Sequence, residues 1–318
     1  MASRPLFILY LSLILFVYLL IVTFYYLNDT LPTPLPVEIK PTNEEIFALQ
    51  DNVRIPFRTK MECDGYNEFR GIPFEQLWFW PSVRIFIGIW SVADKYEIRH
   101  LIRTLNLKQR RNLAGDIVDF KFILGIPSDN NPELKLKLKA ENDTYGDLVM
   151  LDMVENMNNG KGYYYWKWIA EQLDTTRYDY VSKVDDDLFI HFQNLALNLR
   201  PLTRGHLYYG NKSPHSFFIR GTIEVLSVDL AHLIASFPFK KREWNGPEDV
   251  QLGAFLNKHA KSLNTIGENC LIFTDPRIRK VRRKMWRPWA SPNSIAIHWL
   301  KDIRAWKGVI DLYFSDDN

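Results

Sequence analysis

Three adjacent aspartates, Asp185, Asp186 and Asp187, interrupt an apolar segment that reads YVSKVDDDLFIH. Neighbouring carboxylates repel one another, and burying an ionised carboxylate without a partner is costly. Because side chains alternate between the faces of an extended strand, we expect Asp185 and Asp187 to share one side and Asp186 to face away. Converging carboxylates suit Mg²⁺, Mn²⁺ or Ca²⁺, and such a cation can also bind a substrate diphosphate. The alternative is a solvated acidic turn, and the apolar flanks argue against it.

Strands and helices alternate along the chain on the way to this triplet. Runs rich in β-forming residues predict strands at 83–90, 117–125, 147–151 and 178–184, and helices are predicted between them at 94–112, 132–142 and 162–173. This alternation predicts an α/β fold with a mainly parallel sheet covered by helices on both faces. Ligands of such sheets bind beyond the carboxyl ends of the strands, and the aspartate triplet follows the fourth predicted strand.

The N-terminus predicts a membrane anchor. Residues 6–27 are apolar and carry no charge, which is long enough to cross a bilayer. We interpret this segment as an uncleaved signal-anchor, with a cleaved signal peptide as the alternative. The flanking charges then leave residues 1–5 as a cytosolic tail and place the rest of the chain in the secretory lumen, in the single-pass type II orientation.

The segment that follows the anchor, residues 28–81, is predicted to be a lumenal stem. It begins with spaced prolines, which favour an extended spacer. The folded domain is predicted to cover residues 82–318. Sequons for N-glycosylation agree with a lumenal location and begin at Asn28, Asn142 and Asn211. In an oxidising lumen Cys63 and Cys270 could form a disulfide, and two unpaired thiols are the alternative.

The composition excludes some classes of protein. The 318 residues are 47% hydrophobic, which supplies a packed core, and the formal net charge of +3 does not indicate a nucleic-acid partner. The chain contains no Walker A, HExxH, GxSxG or CxxC motif, so NTPase, zincin, serine-hydrolase and thioredoxin chemistry have no support. The basic segment 277–287 could contact acceptor glycan or donor phosphate, or form a solvated loop, and these alternatives stay open.

Five blocks resemble the β-1,3-galactosyltransferase family, glycosyltransferase family 31, in order and spacing. They are EIRHLIRTL (97–105), FKFILG (120–125), YGDLVMLDMVENMNNGKGYYYWKW (145–168), SKVDDDLFI (182–190) and GPEDVQLG (246–253). The chain departs from the family pattern at Asn106, where the family has tryptophan, and it lacks the NLT that precedes the lysine matched by Lys161. The resemblance implies a Golgi type II membrane enzyme of GT-A fold, with residues 82–318 as its catalytic domain.

The resemblance also implies an activity and roles for particular residues. The activity is inverting transfer of a hexose, most simply galactose in β-1,3 linkage, from a UDP-sugar to a hydroxyl of an acceptor glycan or glycoprotein, with Mn²⁺ or Mg²⁺. The implied metal ligands are Asp185, Asp187 and the late histidine His298, with His191 as a competitor. The implied donor-binding residues are Arg99, Arg103, Lys161, Asp185, Asp186 and Lys301.

For the catalytic base, the family pattern favours Asp249, with Glu248 as second candidate. One carboxylate suffices, because inversion requires only that the acceptor hydroxyl lose its proton. Both residues also suit the start of a helix, where acidic side chains favour the positive end of the dipole. Two other functions remain open: the same machinery using UDP-N-acetylglucosamine or another UDP-sugar, and a catalytically silent glycan-binding relative.

Overall fold

The computed structural model describes residues 68–69, 72–110, 113–128, 131–212, 216–273, 290 and 292–314. The predicted cytosolic tail, the anchor, Cys63 and the basic segment lie outside these ranges. In the described part of the chain, no helix is both long and apolar enough to cross a membrane. The predicted anchor at residues 6–27 therefore stays a prediction.

The described chain alternates strands and helices, as the sequence predicts. The strands are β1 (Glu68–Phe69), β2 (Ile72–Pro73), β3 (Arg84–Trp90), β4 (Ile117–Ile126), β5 (Leu148–Val154), β6 (Tyr180–Asp185), β7 (Leu188–Ile190), β8 (Leu207–Lys212), β9 (Ile219–Ser227), β10 (Asn264–Gly267), β11 (Ile272–Phe273) and β12 (Ala296–His298). The α-helices are α1 (Tyr96–Gln109), α2 (Pro132–Tyr145), α3 (Lys161–Gln172), α4 (Phe192–Leu199), α5 (Val228–Ala235), α6 (Glu248–His259) and α7 (Ile303–Phe314).

The main sheet has seven strands among the described residues, in the order β10-β8-β9-β6-β3-β4-β5. Strands β6, β3, β4 and β5 run parallel, and β10 runs parallel to β8. Strand β9 lies antiparallel to both of its neighbours. The predicted α/β architecture with a mainly parallel sheet is confirmed.

Both faces of this sheet are buried, as expected where helices cover a parallel sheet. Strand β3 shows it most clearly. Its residues Ile85, Ile87 and Ile89 belong to one buried cluster, while Phe86 and Trp90 belong to the other. The first cluster also contains side chains of α1 and α4, and the second contains side chains of α3 and α5. Successive side chains of a central strand therefore pack against helices on opposite faces.

The folded part of the chain begins before residue 82. A 3₁₀ helix, Phe74–Phe79, follows β2, and its Leu77 is fully buried in the same cluster as Val83 and Ile85. Near the other end of the domain, Cys270 is buried and takes part in a disulfide. A disulfide at Cys270 is one of the two alternatives that the sequence left open.

A small three-stranded sheet, in the order β11-β12-β7, forms immediately after the aspartate triplet. Strand β12 runs antiparallel to β7, with His298 opposite Leu188. The backbone amide of Leu300 then donates to the carbonyl of Asp187 over 2.9 Å. This pairing brings a segment more than a hundred residues away in sequence to the carboxyl end of β6.

Candidate active site

The aspartate triplet lies where β6 ends and β7 begins. Asp185 is the last residue of β6 and is in register with Trp90, the last residue of β3. Asp186 and Asp187 form the turn to β7. The triplet therefore stands at the carboxyl end of two central parallel strands, the edge at which ligands of such sheets bind.

Asp185, Asp187 and His298 form one cluster. Each offers a ligand atom, and these atoms all lie within 4.8 Å of one another. The imidazole Nε2 of His298 is 3.2 Å from Asp187 Oδ1, and Lys301 Nζ is 2.5 Å from Asp187 Oδ2. Two carboxylates and an imidazole are a donor set that Mn²⁺ and other divalent ions accept, so the residues present fit such an ion. The grouping of these three residues is the one that the sequence analysis expected.

The two carboxyl groups of this cluster differ in their electrostatics. For Asp187, burial favours the neutral acid, but the hydrogen bonds and charges of His298 and Lys301 outweigh it and hold its pKa below the ordinary value. For Asp185, burial dominates and raises the pKa, although the Lys183 ammonium opposes the shift. Charge from Asp187 and Glu248 adds to the rise. A cation at this position would relieve the repulsion between the two carboxylates.

Asp186 faces away from the cluster, as strand alternation predicts. Its carboxylate accepts a hydrogen bond from Ser91 Oγ at 2.8 Å and pairs with Lys95 Nζ at 2.7 Å. Ser91 directly follows β3, and Lys95 directly precedes α1. Asp186 thus fixes the loop between β3 and α1, and its predicted contact with the donor stays a prediction.

The arginines predicted to bind the donor are buried against carboxylates. Arg99 is fully buried, and its Nε and Nη2 bind the carboxylate of Glu141 at 2.9 and 2.7 Å. Its remaining donors reach the carbonyls of Val92 and Ala93. Through these contacts, Arg99 connects α1 to α2 and to the loop that carries Ser91.

Arg103 lies one turn farther along α1 and has a similar environment. Its guanidinium binds the carboxylates of Asp147 at 2.7 Å and Glu141 at 3.0 Å, and it lies 3.8 Å from the centre of the Tyr145 ring. The carboxylates that these two arginines bind are Glu141 and Asp147, and neither belongs to the cluster of Asp185, Asp187 and His298. A role in donor binding remains a prediction for both.

Lys161 begins α3 and is almost completely buried. Its Nζ lies 2.8 Å from both carboxylate oxygens of Glu155 and 3.0 Å from the carbonyl of Ser91. Burial lowers the pKa of this ammonium, and Glu155 offsets part of the shift. Lys161 therefore links the carboxyl ends of β3 and β5, the same edge at which the triplet lies. Its contact with the donor stays a prediction.

Asp249 and Glu248 start α6, as the sequence predicts. Asp249 is half-buried, and its two oxygens accept hydrogen bonds from the backbone amides of Gly221 at 3.0 Å and Val250 at 2.8 Å. Glu248 binds the ammonium of Lys183 at 2.8 Å. Burial opposes ionisation of Glu248, but the charge of Lys183 outweighs it and holds the pKa of the carboxyl below its ordinary value.

Sequence reasoning missed two buried charged residues beneath this site. Lys183 on β6 is fully buried, and buried Glu224 lies opposite it on the neighbouring strand β9. Burial raises the pKa of the Glu224 carboxyl well above its ordinary value, with Lys183 opposing the shift. The available signal was a lysine inside an apolar strand, two residues before Asp185 and hence on the same face.

Comparisons with known proteins agree with the sequence pattern. A family model described as "Galactosyltransferase" matches residues 97–211, a range that contains the triplet but ends before Asp249 and His298. The chain is 24% identical over 278 residues to Beta-1,3-galactosyltransferase pvg3 of Schizosaccharomyces pombe, covering 69% of this chain and 72% of that protein. It is 26% identical over 210 residues to Beta-1,3-galactosyltransferase 6 of Mus musculus, covering 55% of this chain and 61% of that protein.

Proposed function

The chain belongs to the β-1,3-galactosyltransferase family of glycosyltransferases, and from that premise we propose an inverting, metal-dependent hexosyltransferase of GT-A fold. It would move galactose from a UDP-sugar to a hydroxyl of an acceptor glycan, in β-1,3 linkage. The convergence of Asp185, Asp187 and His298 at the carboxyl end of β6 carries the proposal. The names of the two relatives support the donor sugar and the linkage.

The first task of the site is to accept the charge of the leaving nucleotide. Asp185, Asp187 and His298 would hold a Mn²⁺ or Mg²⁺ ion, which would supply a Lewis acid for the negative charge of the departing diphosphate. Lys301, whose side chain is 54% exposed, places an ammonium group beside Asp187. From there the ammonium can donate to a phosphate oxygen, a charge-assisted hydrogen bond that strengthens as the diphosphate departs.

The second task is to accept a proton from the acceptor hydroxyl, which attacks from the side opposite the nucleotide. We assign this role to Asp249, whose carboxylate is oriented by the amides of Gly221 and Val250 and is only half-buried. One base suffices, because UDP departs as an anion and needs no proton from the protein. A glycosidase, in contrast, must also protonate its leaving group and uses two carboxyl groups.

We further propose a Golgi location, with the chain anchored as a single-pass type II protein and the catalytic domain in the lumen. The apolar segment at residues 6–27 supports an anchor. The disulfide at Cys270 supports an oxidising compartment, because disulfides are rare in the cytosol.

A donor screen tests the proposed activity. The full-length chain, purified in detergent, is incubated with UDP-galactose, UDP-glucose or UDP-N-acetylglucosamine and a panel of methyl glycosides as acceptors, and UDP release is measured with Mn²⁺ and with EDTA. We expect the fastest release from UDP-galactose and loss of release in EDTA. Faster release from UDP-N-acetylglucosamine would identify the alternative donor. No metal-dependent release from any donor would indicate a silent relative.

A further inference from the structure

A buried lysine connects the two halves of the proposed site. Lys183 Nζ lies 2.9 Å from Asp185 Oδ1, 2.8 Å from Glu248 Oε1 and 2.8 Å from the carbonyl oxygen of Gly221. The ammonium group donates hydrogen bonds to Glu248 and to the Gly221 carbonyl, and its contact with Asp185 is an ion pair. Its side chain is fully buried and packs over the Trp90 ring. One side chain therefore joins β6, β9 and α6.

Gly221 continues this connection to the proposed base. Its carbonyl accepts from Lys183, and its amide donates to Asp249 Oδ2 at 3.0 Å. No larger residue fits there without movement, because a Cβ atom would lie 2.4 Å from Glu248 Oε1 and 3.2 Å from Lys183 Nζ. The backbone of Gly221 therefore hydrogen-bonds to both Lys183 and Asp249 and connects these two side chains.

Glu248 and Asp249 are adjacent, but their surroundings differ. The Glu248 carboxylate contacts a buried ammonium and lies against the backbone of Gly221. The Asp249 carboxylate is held by neutral backbone amides, each of which uses only one lone pair of an oxygen. Among the described residues, these two hydrogen bonds leave further lone pairs on the carboxylate, which can accept a proton from a hydroxyl group that reaches the half-buried side chain.

Building on the proposed function, we infer that Lys183, Gly221 and Glu248 form a positioning unit that fixes Asp249 relative to the cluster of Asp185, Asp187 and His298. Glu248 acts through Lys183 and is not the general base. The unit matters because a carboxylate displaced by about 1 Å from the attacking hydroxyl loses much of its catalytic effect. The positioning unit should affect kcat, because it orients Asp249, which acts in the chemical step. It should have little effect on KM for the donor, because Asp249 does not bind the donor.

Paired substitutions at Glu248 separate positioning from proton transfer. The full-length chain carries Glu248→Gln or Glu248→Ala, and kcat and KM for UDP-galactose are measured from UDP release with Mn²⁺ and the most active methyl glycoside. Glutamine keeps an oxygen that accepts from Lys183, so we expect kcat to fall two- to fivefold. Alanine removes that oxygen, so we expect kcat at least tenfold below the glutamine variant. KM for UDP-galactose stays within about twofold in both.

The opposite pattern would overturn the inference. A general base at Glu248 requires glutamine and alanine to be equally inactive, each by about 10² to 10⁴-fold in kcat. Equal and full activity of both variants would also contradict it, because the unit would then have no effect on Asp249. A wild-type chain without metal-dependent UDP release would instead contradict the proposed function.

Gly221→Ala tests the same unit through the backbone. The added Cβ displaces Glu248 and Lys183, so we expect kcat to fall at least tenfold with little change in KM for UDP-galactose. Gly308→Ala on α7 is the matched control, since its Cβ would meet nothing within 4 Å. Melting temperatures identify any variant that does not fold. If Gly221→Ala does not fold, the comparison of Glu248→Gln with Glu248→Ala tests the inference. A folded Gly221→Ala variant with wild-type kcat overturns the inference.

Discussion

At the scale of single residues, the account depends most on the carboxylate of Asp249. Asp249→Asn keeps the size of the side chain and an oxygen that accepts from Gly221, but amide oxygen is far too weak a base. We expect kcat for UDP release to fall by about 10² to 10⁴-fold, with KM for UDP-galactose nearly unchanged. Asp311→Asn on α7, which replaces an exposed carboxylate that pairs with Lys307, is the control. Full activity of Asp249→Asn would show that Asp249 is not the general base.

His191 provides a prediction about pH. It caps α4 by accepting a hydrogen bond from the Asn194 amide, and burial lowers the pKa of its imidazole from 6.5 to about 4. The unfolded chain therefore binds this proton more tightly. The contribution of neutral His191 to stability is complete above pH 6.5 and is lost as the pH falls from 6.5 to 4.

The variant His191→Asn keeps a capping side chain and removes the titration. Between pH 7 and pH 5, we expect the free energy of unfolding of the wild type to fall by about 2 kcal/mol more than that of the variant. Urea unfolding of the two chains at both pH values measures this difference. The same decrease in both proteins would show that His191 does not contribute to the acid sensitivity.

At the scale of elements, α1 and α2 are held together by a buried network of charges. Arg99 and Arg103 on α1 both contact the Glu141 carboxylate on α2, and all three side chains are nearly inaccessible to solvent. Removing Glu141 leaves two buried guanidinium groups short of a partner. We expect Glu141→Ala to lower the free energy of unfolding by about 3–5 kcal/mol.

The control for this prediction lies on the same helix. Glu133 pairs with Lys137 one turn away, and both side chains are largely exposed. Glu133→Ala should leave the free energy of unfolding nearly unchanged, because exposed pairs are screened by solvent. Urea unfolding compares the two variants. Equal and small effects would mean that the buried network is not what holds α1 to α2.

The strands and helices that the sequence predicts are those whose pattern of apolar residues can be recognised within one short segment. The strand predicted at 83–90 is observed at Arg84–Trp90, and the helix predicted at 132–142 is observed as Pro132–Tyr145. The antiparallel strand β9 was not predicted. Its polar residues Arg220 and Glu224 interrupt the apolar pattern, and buried Glu224 lies opposite Lys183 on the neighbouring strand and accepts a hydrogen bond from Tyr208. A partner from another strand is not visible in a local pattern.

The same limit applies to the site. The cluster of Asp185, Asp187 and His298 could be predicted, since strand alternation orients the aspartates and the family resemblance supplied the histidine. The surroundings of Arg99 could not be predicted, because its partner Glu141 lies 42 residues away. A sequence match identifies an arginine, but only the fold shows whether its charge faces a ligand or a buried carboxylate.

At the scale of the whole molecule, the site collects groups from the carboxyl ends of neighbouring parallel strands. Ser91 follows β3, Glu155 follows β5, and Asp185 ends β6. The end of β4 also packs closely against the backbone that follows β5, because a Cβ on Gly125 would lie 2.7 Å from Cα of Glu155. Strand β12 then adds His298 from near the end of the chain. The sheet therefore provides one edge where a nucleotide and a cation can meet.

The central claim is that a divalent cation binds at this edge and stabilises the leaving nucleotide. The most direct measurement is a structure of the chain with Mn²⁺ and UDP, in which anomalous scattering locates the metal. We predict Mn²⁺ bound by Asp185, Asp187 and His298, with the UDP diphosphate on the same ion. Mn²⁺ or UDP bound elsewhere, with these three side chains contacting neither, would contradict the account.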